Sequence, residues 1–141
     1  MAIFLDTGFY VGLLHPKDEY YKRSYQILTE LKTGIHGQIF TSNLIMSESA
    51  TLVALRTQKN PRAMQIIQQY FIGNEQIAII LRLNEDLEKD AWTVFQELNS
   101  KKTDKVISFV DCTNIALCRH YSIEKILSYD DHFDGWLTRI F

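Results

Sequence analysis

The spacing of apolar residues changes repeatedly along the chain, and each change marks a switch between strand and helix. Ala2 to Leu5 form a short apolar run that stops at Asp6-Thr7-Gly8, and apolar residues resume from Phe9 to Leu14. This predicts a strand, an acid and a short helix halted at His15-Pro16, because the residue before proline resists helical dihedrals. From Asp18 to Lys32, residues Tyr21, Tyr25, Leu28 and Leu31 recur at spacings of three and four, the stripe of an amphipathic helix. Gly34 and Gly37 end it, and Gln38 to Thr41 is a short strand candidate. Thr41-Ser42-Asn43 offers a cap for a helix over Leu44 to Thr57. Pro61, after Asn60, suits the first turn of a further helix to about Phe71.

After the turn Gly73-Asn74, the β-branched run Ile77 to Leu83 predicts a buried strand. Asn84 then caps a helix to Leu98, with Leu87, Ala91, Val94, Phe95 and Leu98 on its apolar face. A polar loop from Asn99 to Lys105 holds three lysines. The stretch Ser108 to Phe133 carries a helix-like run, Ile115 to Cys118, behind Asp111. It turns at Tyr121-Ser122 and enters the apolar run Ile126-Leu127, which Asp130 and Asp131 cut off. Trp136 to Phe141 close the chain as an edge strand. Strands alternating with helices predict an α/β fold with a mostly parallel central sheet, one domain over residues 1–141 without repeat or linker.

In such a sheet ligands bind at the carboxyl edge of the strands. Asp6 and Asp130 end predicted strands, and Asp111 and Glu48 fall in the opening turns of predicted helices. Each has a plain structural reading. Asp6 and Asp111 can serve as helix N-terminal carboxylates, Asp130-Asp131 can be a polar turn, and Glu48 can lie on a narrow polar strip. Together they make a different case. Carboxylates drawn to one edge repel, and a divalent cation held by their oxygens removes that penalty. Such a site supports metal-assisted phosphodiester hydrolysis. The expectation is that Asp6, Glu48, Asp111 and Asp130 converge, with no pair of carboxyl groups more than about 12 Å apart.

Composition changes little in this picture. Hydrophobic content of 46% and charged content of 23% are those of a soluble globular domain. The absence of an 18-residue apolar run and of a basic N-terminal region predicts neither membrane span nor signal peptide. A net charge of −2 gives no global basic field, although four acids committed to a cation would leave a slightly basic remainder. Cys112 and Cys118 suggest no disulfide framework and face apart on one helix, which fits a reduced cytoplasm. The four histidines, His15, His36, His120 and His132, show no HExxH pair. No glycine-rich phosphate cradle and no GxSxG is present. Arg56, Lys101, Lys102 and Lys105 are phosphate-contact candidates, with solvated surface charges as the simpler reading.

Four pieces in order, FLDTGFYVGLL, TSNLIMSES, the stretch from Ala91-Trp92 through Asp104-Lys105 to SFVDC, and ILSYDDHF, resemble PIN-domain proteins of the VapC-type ribonuclease group. The resemblance implies a Rossmann-like sheet with helices on both sides and a Mg²⁺- or Mn²⁺-dependent nuclease. Its metal-binding, catalytic acids carry over to Asp6, Glu48, Asp111 and Asp130. Thr7 and Ser128 match positions that commonly hold such residues. Gly8 stands where Ser or Asn is frequent, and Asp131 where the side chain is often basic. The resemblance further implies RNA as substrate, a small antitoxin as partner and a homodimer. The leading expectation is an endoribonuclease toxin of a toxin–antitoxin pair. A PIN nuclease of RNA maturation without antitoxin, and a non-catalytic PIN-like interaction module, are the alternatives. The helices Asp18–Lys32 and Leu44–Thr57 are rich in apolar side chains, Tyr20, Tyr21, Tyr25, Leu44 and Leu52 among them. Some of the three tyrosines are expected to stay exposed beside the acids, as a partner surface.

Overall fold

The computed structural model describes residues 1–102 and 105–141. Asp104, part of the third matching piece, lies outside the described residues. Five strands, β1 (Ala2–Leu5), β2 (Gln38–Ser42), β3 (Ile79–Leu81), β4 (Lys125–Leu127) and β5 (Thr138–Ile140), form one sheet in the order β3-β2-β1-β4-β5. Every pairing is parallel. The first strand is therefore the central one. Ile3, Phe4 and Leu5 are wholly buried, as a strand covered on both faces must be, and this explains the unbroken apolar run. Truncating Phe4 to Ala would cost about 3–5 kcal/mol.

Among the described residues the helices are α1 (Thr7–Leu14), α2 (Tyr21–Lys32), α3 (Asn43–Arg56), α4 (Pro61–Ile72), α5 (Glu85–Asn99) and α6 (Phe109–His120), with a 3-10 turn at Asp131–Phe133. Polar side chains start five of them, Ser108 of α6 included. Asp6, Ser42, Asn60, Asn84 and Ser108 each accept a backbone N–H of the first turn. Contacts divide the helices into two groups: α1 packs on α2, α3 and α4, while α5 packs on α6. Connectivity gives the reason. The chain moves one way from β1 through β2 to β3, then crosses back to β4 and β5 in the opposite direction. Right-handed crossovers in opposite directions lie on opposite faces of a sheet. The reversal falls between β1 and β4, which opens a crevice at their carboxyl ends. No helix among the described residues is long and apolar enough to cross a membrane.

Three details depart from the pattern read in the sequence. The run Ile77–Leu83 yields a strand of only three residues, and Ile79 is 52% exposed, because β3 is an edge strand and not a buried one. The second helix begins at Tyr21 and not Asp18, since the Asp18 carboxylate accepts the Tyr20 N–H at 2.8 Å and its carbonyl accepts that of Tyr21. That closes a turn ahead of the helix. Glu48 sits one residue deeper in α3 than predicted, in its second turn, because the helix starts at Asn43 and not Leu44.

Candidate active site

Asp6 leaves β1 at the crevice and caps α1. Its Oδ1 accepts the Thr7 N–H at 2.8 Å and an Asn114 amide hydrogen at 3.3 Å, and its Oδ2 accepts the Ser128 hydroxyl at 2.7 Å. Only 3% of the residue is exposed. Burial, followed by the charge of Asp111, raises its pKa from 3.8 to about 7; Asp130 adds to the rise, and the Ser128 and Thr7 hydrogen bonds oppose it. A carboxylate in this position is fixed by three donors and still starved of positive charge.

Asp111 is the third residue of α6. The cap of that helix is Ser108, whose Oγ accepts the Asp111 N–H at 3.1 Å, so Asp111 is not occupied as the cap and its side chain is left for the crevice. His132 places Nε2 2.7 Å from Asp111 Oδ2, with both side chains largely buried. Asp111 holds the imidazole above its ordinary pKa against the opposing effect of burial. Asp130 follows β4 and donates its N–H to Ser128 Oγ at 3.1 Å. A single hydroxyl thus serves two acids: it donates to Asp6 and accepts from Asp130. Ligand atoms of Asp111, Asp130 and His132 all lie within 4.8 Å of one another.

Asp6 and Glu48 do not join that 4.8 Å set. Asp6 lies close enough to feel the charges of Asp111 and Asp130. Glu48 is attached more indirectly, its Oε1 accepting the Thr7 hydroxyl at 2.5 Å, one residue from Asp6. The carboxylates predicted from sequence therefore gather as a tight pair, a buried neighbour and an outer member. His132 is the residue the sequence reading passed over. The signal was its place in Asp130-Asp131-His132, where one 3-10 turn returns the third side chain to the first.

Asp131 is exposed and pairs with Lys105 Nζ at 3.1 Å, which holds its carboxyl below the usual range. It does not belong to the cluster. The Lys105 charge also acts on His132. Arg56, at the far end of α3, reaches Asp18 at 3.4 Å, and Lys101 and Lys102 are exposed.

Gly8 has a steric reason. A Cβ there would lie 3.2 Å from Tyr129 Cδ2. The Tyr129 ring stacks on Tyr20 at 3.9 Å between centroids, and its hydroxyl is 2.7 Å from Ser24 Oγ. These contacts clamp the loop that carries Asp130 onto α1 and α2. Of the other tyrosines, Tyr25 is 41% exposed and Tyr21 half-buried against it, beside a cavity of about 460 Å³ that Leu13, Arg56, Arg62 and Ile66 also line.

Residues 3–135 match the family model of the PIN domain. The chain belongs to the PIN-domain family. A VapC ribonuclease of Archaeoglobus fulgidus is 26% identical over 133 residues, which cover 94% of this chain and 80% of that protein. The crystal structure of Mycobacterium tuberculosis VapC20, a sarcin-ricin loop cleaving toxin, is similar with a TM-score of 0.75 at 24% identity over 96% of both chains. VapBC2 from Rickettsia felis, bound to a DNA fragment from its promoter, is similar with a TM-score of 0.68 at 15% identity, covering 99% of this chain and 98% of that one. Both structures have the same fold as this PIN domain. The family implies a divalent cation, and the residues fit one. Two carboxylates and an imidazole within 4.8 Å, beside an acid whose pKa is raised by burial and then by its acidic neighbours, form a set that a cation would relieve.

Proposed function

We propose that this PIN domain is a metal-dependent endoribonuclease and the toxin of a toxin–antitoxin pair. The observation that carries the reading is the meeting of Asp6, Asp111, Asp130 and His132 at the reversal point of the sheet. The VapC ribonuclease with which most of the chain aligns supports RNA as the substrate.

Asp111 and Asp130 would hold Mg²⁺ or Mn²⁺, with Asp6 and Glu48 around them, since carboxylate oxygens suit both ions. When bound, the cation neutralises phosphoryl oxygen charge and lowers the pKa of water. Asp6 keeps a fixed direction because Thr7, Asn114 and Ser128 hold both of its oxygens. His132 orients Asp111 and can keep a proton at Nε2 against it. Glu48, through the Thr7 hydroxyl, steadies the first turn of α1. The thiols offer no competing nucleophile: burial pushes Cys112 up to about 11 and Cys118 higher still.

The antitoxin would cover the exposed tyrosine face of α2 and its neighbouring cavity, and the working form would be a cytoplasmic homodimer. The test is to sequence RNA ends from cells making the chain beside an Asp6→Asn control, and to repeat cleavage with pure protein in EDTA. Discrete new ends that vanish in the control and in EDTA are expected. Cleavage that persists in EDTA would reject the metal site. A short upstream reading frame whose product leaves cleavage untouched would reject the toxin–antitoxin pairing.

A further inference from the structure

A smaller recess of about 200 Å³ lies beside the acids, lined by Asn43, Leu44, Leu83, Glu88, Trp92 and Phe109. Its place in the fold ties it to them. Phe109 opens the helix that carries Asp111 two residues later. Asn43 opens α3, and continuing the register Phe4↔Phe40 by three residues sets it abreast of Thr7. The recess and the acid cluster therefore occupy neighbouring stretches of one sheet edge.

Its walls are aromatic. Trp92 is 53% exposed, with its ring 4.7 Å from Phe109 at 41° and 5.6 Å from Phe95 edge-on. Its polar side chains offer two acceptors, the Asn43 carbonyl oxygen and the Glu88 carboxylate. Asn43 Oδ1 is buried without a hydrogen-bond partner among the described residues, and Glu88 is exposed. A buried acceptor without a donor costs free energy until a ligand supplies one. An aliphatic side chain from a protein partner would cover Trp92 and leave that oxygen unpaired. A flat heteroaromatic ring with N–H groups on its edge satisfies the walls and the oxygen together. The volume is below the roughly 300–1,000 Å³ of a drug-sized site and suits a single ring system. Unstacked bases of single-stranded RNA are recognised in this manner, by aromatic stacking and hydrogen bonds to a base edge.

Resting on the ribonuclease reading, we infer that this recess receives a nucleobase next to the cleaved phosphate and sets the base preference of cleavage. Two acceptors call for two adjacent donors, and guanine, with N1–H beside its 2-amino group, is the base that presents them. Trp92 and Phe109 form the stacking wall, and Asn43 and Glu88 read the edge.

The chain holds two tryptophans, Trp92 and Trp136, so Trp136→Phe leaves Trp92 as the sole indole reporter. Titration of that protein with GMP, AMP, CMP and UMP should give saturable quenching that is strongest with GMP. Asn43→Ala and Glu88→Gln should each weaken it about tenfold, within the range that single base contacts supply. In parallel, wild type, Trp92→Leu and Glu88→Gln are compared on an RNA pool of mixed sequence. The variants should keep metal-dependent cleavage and lose preference at one position by about tenfold. Cleavage with an unchanged base preference would overturn the inference and leave the ribonuclease reading standing. If no protein cleaves RNA, that reading fails, and the nucleotide titration alone then decides whether the recess takes a base. A Trp92 signal that follows protein concentration and ignores nucleotide would assign this face to contact between two copies, and would also overturn it.

Discussion

Asp6 and Asp130 stand at the ends of adjacent parallel strands, yet they are held in opposite ways. Asp6 is buried, with both oxygens tied to donors on three different elements. Asp130 is exposed, and it is tied to the site through its backbone N–H on Ser128 Oγ. The central strand supplies a rigid carboxylate that burial and repulsion make reluctant to ionise. The loop after β4 supplies an open one that solvent, ion and phosphate can reach. Ser128 joins the two halves. The difference separates groups that set the shape of the site from groups that meet what enters it, and substitutions can pull the two apart.

The largest effect is expected from removing charge at the centre. Asp111→Asn should lower cleavage by roughly a hundredfold to a thousandfold, the scale of losing an electrostatic transition-state group. It should fold normally and melt at the same temperature or higher, because a charge acting on buried Asp6 is gone. Initial rates and thermal melts on one preparation check both. A melting point lowered as far as a core truncation lowers it would make Asp111 structural.

Next comes pH. Folded Asp6 titrates at about 7, compared with 3.8 for an unhindered aspartate, so between those values the folded chain holds a proton that the unfolded chain has lost. Stability of the metal-free protein should therefore fall as pH rises from about 4 to about 7 and level off above. Asp6→Asn should remove that slope in urea titrations. Saturating Mg²⁺ should stabilise wild type more at pH 8 than at pH 5, since binding favours the folded, deprotonated form.

His132→Gln tests the partner of the open half. Removing a group that orients a ligating carboxylate should cost about tenfold to a hundredfold in Mn²⁺ affinity or rate, read by calorimetry and initial rates. Gly8→Ala should be milder. The new Cβ, 3.2 Å from Tyr129, shifts that ring by a few tenths of an ångström and with it the loop of Asp130. A severalfold drop in rate, with a stability change within about 1 kcal/mol, is expected. Asp131→Ala should be nearly silent in thermal melts and leave metal affinity unchanged, because its pair with Lys105 is exposed.

What the sequence disclosed follows the same division. Ile3 to Leu5 read as a buried strand because a central parallel strand is apolar on both faces, and that placed Asp6 at the edge. The α/β alternation and the acids after strands were legible for the same reason. Ile79 misled because an apolar run carries no mark of being at the edge of a sheet. His132 was hidden because its role depends on a single 3-10 turn and on Asp111, 21 positions away along the chain. The stack of Tyr20 on Tyr129 and the recess between Asn43 and Trp92 join positions that no local period relates. Periodicity finds elements, whereas contacts between elements distant in the chain shape the site.

The strand order has a consequence for synthesis. β1, β2 and β3 are neighbours in sequence and in space, so the N-terminal half can pair its own sheet as soon as it has emerged. Asp6 and Glu48 precede β3, whereas Asp111, Asp130, His132 and the Ser128 hydroxyl follow it in the chain and emerge later. A nascent chain therefore carries only half of the proposed site until the stretch from Asp111 to His132 has emerged. If those residues carry the cleavage, a nuclease still attached to its own message would be silent, by topology, during that interval.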